Sequence, residues 1–484
     1  MRLGLLGLVL TILPLLTLAG RNEGDPVPNS GSVPRAHCGP HDRTESGLQG
    51  QTTLAERMSG AADLGFNCNL ELVGQFQGEG ASWQMAAFDH CAYYNTRNNS
   101  ALQHGGTVVV DASDPSHPRA TAFLDSRAML DPWESLKVNK KRRLLGATKG
   151  LGGGGDRFFA FYDISDCAHP ALLSDVDFAD HLGHGGDFAP DGRTYYGTWA
   201  LGFGLTAVDI SDPSQPKELL HNTEYQIHDL FVGRHGTRLY GAENSLAANL
   251  LTPSSLLILD VSDIQSHRPN PQIRLISRLA WKDGNAAQEP EPIRIKGRPY
   301  ILFTDEFGSG GLLQPRAAAA ACAQGLPPVG FARLIDISDE KNPTLVSRLM
   351  LEVHDPANCA AVLDDSTNPL FWYDSHYCTV DNPHNAKLAA CAYFQAGVRV
   401  FDIRDPRHPK EIAYYKPPAK RTESRPGSQL AGFVANRDHD WTSSNMRFVR
   451  HKGQLDLWFT SQDNGFQIVR FSRSLKAIWG KTPQ

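Results

Sequence analysis

Read for its alternation of apolar and polar positions, the chain is a succession of short strands. A run of four or five apolar residues closes on an aspartate, a polar turn follows, and a second strand begins. The unit reads TVVVDASDPSHPRATAFL from Thr107, FFAFYDISDCAHPALL from Phe158 and LTAVDISDPSQPKELL from Leu205. It returns as LLILDVSDIQSHRPNPQIRLI from Leu256, ARLIDISDEKNPTLVSRL from Ala332 and VRVFDIRDPRHPKEIAYY from Val398. The strand-ending aspartates are Asp111, Asp163, Asp209, Asp260, Asp336 and Asp402, spaced 52, 46, 51, 76 and 66 residues apart. A period near 45–50 with several strands in each unit predicts β-propeller blades, and the longer gaps predict inserted loops. The turn has a local cause. Asp and Ser side chains bond nearby backbone N–H groups, and proline presets φ and stops the ladder. These aspartates are therefore read as turn caps rather than catalytic acids.

A seventh copy is incomplete. GFQIVRFS at Gly465 matches the strand before the turn, but its partner strand is missing downstream. Residues 70–76, LELVGQF, resemble that partner, so the N-terminal segment is expected to complete the last blade. Such closure removes free sheet edges. The expected fold is all-β: one seven-bladed propeller over residues 67–475, with a tail at 476–484.

A length of 484 residues suggests about three domains, but a repeat of this kind overrides that count. Gly 44 and Pro 31 suit many turns, and 41% hydrophobic residues support a sizeable core. The net charge of −5, without a long basic run, argues against nucleic-acid partners. Residues 1–19 pair one Arg with an apolar run interrupted by Pro14 and end Thr17-Leu18-Ala19, the anatomy of a cleaved signal peptide. Residues 20–66, rich in Gly, Pro, Ser and charge, are read as a flexible linker or arm. Eight cysteines, with no CxxC, are read as disulfides in an oxidising compartment, one pair falling among Cys359, Cys378 and Cys391. The expected setting is secreted, extracellular or periplasmic, with no stable membrane insertion after cleavage.

The strand-Asp-Ile-Ser-Asp-Pro-x-x-Pro unit resembles the LVIVD repeat of secreted bacterial propellers, over about residues 69–473. The resemblance implies the propeller fold and little chemistry, because fold alone does not carry function.

In a propeller the strands run a to d from the channel outward. The Asp-Ile-Ser-Asp turns share a face with the a–b hairpins, and the opposite face is built from strand a entries and b–c loops. Alignment on the a–b hairpins places Glu134, His184, His228, Glu291 and His376 at the mouth of the channel in five successive blades. Gln84 and Asn445 stand at that height in the other two, while His90 falls in an a–b turn on the far face. Three imidazoles and two carboxylates on one axis are a ligand set for Zn, Cu, Fe or Mn. Glu243, Asp305, Glu306 and Asp463 in b–c loops, with His181 and His439 in d–a connections, are candidates for a supporting shell. GLGGGGD at 150–156 lacks the Lys-Ser/Thr of a phosphate loop, and no GxSxG occurs. Two functions follow. One is a binding or scaffold propeller whose mouth recognises a protein, peptide, glycan or small molecule. The other is a metalloenzyme, oxidoreductase or hydrolase, with the metal at the mouth.

Overall fold

In the computed structural model, the described residues are 31–480 apart from 150–156, 179–180, 182, 200–203, 244–253, 312–315, 364–369, 423–424 and 435–436. The signal segment and the glycine-rich loop lie outside them. Seven antiparallel sheets follow one another around the ring. The first is Met85–Phe88, Cys91–Asn95, Thr107–Asp111 and Arg119–Leu124, and the next four repeat that order, beginning at Lys137, Gly186, Ile227 and Asn285. The sixth begins at Cys378, and the seventh combines Arg447–His451, Gln454–Ser461 and Gly465–Phe471 with Leu70–Phe76. The closure pairs Leu70 with Phe471 and Phe76 with Phe466, as the sequence pattern requires.

The turn caps form as expected. Carboxylates of Asp111, Asp163, Asp209, Asp260 and Asp336 each accept from the backbone N–H two residues on, at 2.7–2.9 Å. Asp402 does the same with Arg404 at 3.1 Å.

A second repeated device is not visible in the sequence pattern. Strands c and d lose register by one residue in every blade, a β-bulge that bends the outer strand. At or beside the bulge, a hydroxyl donates to a carbonyl of the next blade's turn: Thr121 to Ala168, Ser174 to Pro213, Ser277 to Glu340 and Ser347 to Pro406, at 2.6–2.8 Å. In the closing strand this place belongs to Gly74, where an added Cβ would come 2.1 Å from the Pro115 carbonyl. The close approach of the first and last blades therefore excludes a side chain there.

Residues 31–66, expected as a flexible linker or arm, are instead tied along the outer edge of the sixth blade. Phe66–Cys68 adds a fifth strand beside Lys410–Lys416. Cys38–Cys68 anchors the segment, and the buried Arg399 guanidinium joins Glu45 at 2.7 Å and Glu411 at 3.0 Å. Helix Leu54–Ser59 carries a Thr53/Glu56 capping box. The anchors are a disulfide, ion pairs and caps, so no apolar period announces them. The expected tail also packs in part. Lys476–Trp479 is helical, with Trp479 buried against the seventh blade and its carbonyl accepting from Arg450 at 2.9 Å.

The remaining disulfides are Cys91–Cys167 between the first two blades, Cys378–Cys391 across strands a and b of the sixth, and Cys322–Cys359. The last links the inserted helix Arg316–Ala323 to helix Cys359–Val362. No described helix is long and apolar enough to cross a membrane.

Candidate metal centre

The entries to the innermost strands converge on the axis. Glu134 stands just before Lys137–Asn139, His184 just before Gly186–Phe188, His228 opens Ile227–Gly233, and His376 precedes Cys378–Val380. All four are at most 4% exposed. Neighbouring strands meet closely here. Glu134 and Gly185 form a parallel bridge, and a Cβ on Gly185 would come 2.7 Å from the His228 carbonyl.

His184 Nε2 lies 3.0 Å from His228 Nε2 and 3.2 Å from Glu134 Oε2. His376 Nε2 lies 3.3 Å from Glu134 Oε1, the other oxygen of the same carboxylate. Glu306, expected as a supporting residue, joins the cluster itself, with Oε1 at 3.4 Å from His376 Nε2 and Oε2 at 3.9 Å from His228 Nε2. Donor atoms bonded to one first-row ion at about 2.0–2.2 Å stand roughly 3–3.5 Å apart, a range met by the contacts of 3.0–3.4 Å and exceeded by the 3.9 Å one. His376 Nδ1 is directed at the Ser443 carbonyl, which turns Nε2 toward the cluster.

Without an ion the cluster is internally opposed. Burial works against charging His376, yet Glu134 and Glu306 push its pKa up to about 10, while burial and His184 push His228 down to about 3. Burial drives Glu306 upward. For Glu134 burial acts in the same sense, but His184 and His228 outweigh it and hold the carboxyl well below its usual range. The Gln288 amide nitrogen sits 2.9 Å from Glu134 Oε2 and 3.2 Å from His376 Nε2. A protonated His376 presents a donor to that donor. Turning the amide over sets its oxygen against the Glu134 carboxylate instead. Gln288 Oε1, His184 Nδ1 and His228 Nδ1 are buried without hydrogen-bond partners. Such orphans cost about 1–3 kcal/mol each.

A family model described as LVIVD repeat matches residues 101–122 and 200–222, which hold the Asp111 and Asp209 turns. This chain is a seven-bladed β-propeller that carries LVIVD repeats. No curated protein matches it. Among solved structures it is similar to Kuenenia stuttgartiensis hydrazine synthase, at 11% identity and a TM-score of 0.49 over 82% of this chain and 97% of that one. A likeness that shallow is silent on chemistry.

The LVIVD propeller places Glu291 away from the histidines. Strand a of its blade is unusually long, Asn285–Ile295, and turns through Lys296-Gly297 with both φ positive, a two-residue hairpin. Gln288 therefore occupies the position that hairpin alignment assigned to Glu291. A spacing would have found it. Glu134, His184, His228 and Gln288 each stand ten residues before the first residue of strand b: Leu144, Thr194, Arg238 and Arg298. Glu291 lies further along the channel with Glu289, Asp187 and Asp229, around a single cation. Lys137 Nζ is 3.3 Å from Asp229 Oδ2 and 3.6 Å from Glu289 Oε1, and the Tyr377 hydroxyl donates to Asp229 at 3.3 Å. Burial pushes Asp187 and Glu289 up to about 7. Burial and then Glu289 raise Glu291 well above the usual range. Asn445 reaches this layer through Glu289 at 3.4 Å, and Gln84 donates to the Glu134 carbonyl at 3.1 Å.

The other expected supporting residues have structural partners in the LVIVD propeller. Glu243 pairs with Arg278 at 2.7 Å, Asp305 with the buried Arg333, and Asp463 with Arg437. His181 is bracketed by Thr148 and Thr206, and His439 is oriented by Asp438 at 2.8 Å. His90 lies on the far face beside Asp111 and Cys167, as expected.

Sequence reading did not single out the cover over the cluster. Trp83, Trp133, Phe371, Phe394, Phe433 and Trp441 pack together, with the Trp83 ring 5.5 Å from His376 and Trp133 5.9 Å from His184. Trp133, Ala286, Phe371 and Phe394 hold left-handed backbone, with φ from 34° to 54°. Bulky residues reach that region only when surrounding structure imposes it, at about 1–3 kcal/mol each, and such strain gathers at functional sites.

Proposed function

We propose that this propeller is an exported metalloenzyme of the oxidoreductase class, with a first-row transition metal held at the channel mouth by Glu134, His184, His228, His376 and Glu306. The observation that carries the reading is the approach of His184 Nε2 to His228 Nε2 and Glu134 Oε2 at 3.0 and 3.2 Å in a buried site. Two imidazoles and a carboxylate on one side of an ion are a ligand set that suits iron and related redox metals. An ion held there supplies Lewis acidity or one-electron chemistry. The chain's own residues orient the ligands, through Ser443 on His376 and Gln84 on Glu134, and cover them with aromatic rings. That dry cover favours redox chemistry on a small molecule over hydrolysis, which needs water at the ion. The disulfides are compatible with an oxidising compartment. The LVIVD repeats and the fold are equally compatible with a binding or scaffold role, a reading that leaves the buried ligand set unexplained.

Elemental analysis of natively purified, dialysed protein tests the proposal. Retention of Fe, Mn, Cu or Zn at one equivalent or more per chain is the expected result. Protein from metal-replete cells that carries none, and binds none on addition, returns the binding-module reading.

A further inference from the structure

The geometry points to a dinuclear centre, in which the carboxylates of Glu134 and Glu306 bridge two metal ions. This rests on the metal-centre reading above and goes beyond it in the number of ions and the bridging groups.

Each carboxylate divides its oxygens between two sides. Glu134 directs Oε2 toward His184 at 3.2 Å and Oε1 toward His376 at 3.3 Å. Glu306 directs Oε2 toward His228 at 3.9 Å and Oε1 toward His376 at 3.4 Å. The ligands accordingly fall into two groups, Glu134 with His184 and His228, and Glu134 with Glu306 and His376, whose ligand atoms lie within 4.8 Å of one another inside each group. One ion cannot take both oxygens of two carboxylates while each oxygen faces a different histidine. Two ions can, at the separation of about 3.5–4 Å found in two-metal sites.

The two positions share the bridging carboxylates and differ in their other neighbours, His184 and His228 at the first and His376 with the Gln288 amide at the second. Phe394 and Trp83 flank the second, their rings 5.2 and 5.5 Å from His376.

The test is metal stoichiometry on the full mature chain, stripped with chelator and titrated with Zn²⁺ and separately with Mn²⁺. Two ions per chain are expected, with an exchange-coupled Mn²⁺ electron-spin resonance spectrum in place of the six-line pattern of an isolated ion. His184→Ala and His376→Ala should each keep one ion, because each empties a different position. One ion per chain, lost in both variants, overturns the dinuclear inference and leaves the metal centre standing. No binding of either metal overturns the metal-centre reading itself. Should either variant fail to fold, the wild-type stoichiometry and spectrum decide.

Discussion

His184 and His228 come from consecutive blades, 44 residues apart, yet their Nε2 atoms stand 3.0 Å from each other, and both Nδ1 atoms lack hydrogen-bond partners. Two imidazoles so placed share at most one proton between them. His228 Nδ1 still has Glu134 Oε2 at 3.6 Å, whereas His184 Nδ1 is buried with no hydrogen-bond partner, a poor arrangement for stability alone.

Glu134 is the residue that both ligand groups share. Glu134→Gln keeps its size and should abolish metal retention, while His228→Ala removes only part of it. Both proteins should keep the wild-type far-ultraviolet dichroism. Metal content by mass spectrometry checks the point, and full retention by Glu134→Gln would remove Glu134 from the ligand set.

Closure of the ring depends on residues 70–76, which pair with the strand at 465–471. Deleting residues 66–78 exposes an apolar edge and removes the Cys38–Cys68 anchor. The melting temperature should fall by on the order of 10 °C or more, given roughly 2–4 °C per kcal/mol for chains of this scale. Calorimetry showing an unchanged transition would mean that the ring does not rely on this strand.

Ser347 is fully buried, and its hydroxyl donates to the Pro406 carbonyl of the next blade at 2.6 Å. Ser347→Ala leaves that carbonyl without this donor and should lower unfolding free energy by about 1–2 kcal/mol in urea titrations. A change within error would mean that these contacts between blades are passive.

His354 is buried away from the candidate metal centre, between the Leu351 N–H and the Tyr373 carbonyl. Burial pushes its pKa down to about 4. A folded pKa below the unfolded value of about 6.5 means that the unfolded chain binds the extra proton first. The contribution is present above about pH 6.5 and is lost as pH falls toward 4, by roughly 3 kcal/mol in all. His354→Gln should flatten the pH dependence of the urea midpoint in that window. A difference curve without slope there would exclude His354 as its source.

All eight cysteines pair, in four disulfides. Thiol titration of the denatured, unreduced protein should find fewer than two free thiols. Six or more would contradict both the pairing and the oxidising compartment.

The sequence by itself determined the blade. Asp111, Asp163, Asp209 and their equivalents repeat because each caps its own turn through a bond two residues away, and a local cause leaves a local, periodic trace. It also determined the closing strand and the height of His184 and His228, which stand the same ten residues ahead of strand b, while His376 reaches that height twelve ahead across a longer hairpin. The tertiary structure decided which carboxylates join them. Gln288 replaces Glu291 because a two-residue hairpin lengthens its strand, so alignment on the turn stops three residues short of the mouth. Glu306 moves from the expected supporting shell into the cluster because the end of its strand b stands beside His376, 70 residues away. Residues 31–66 become a fifth strand and a set of ion pairs on a distant blade, with no apolar period to betray them. The aromatic cover assembles Trp83, Trp133, Phe371, Phe433 and Trp441 from loops that share no repeat. Local bonds write themselves into the order of residues, whereas convergence on an axis depends on loop lengths and bulges summed around the whole ring.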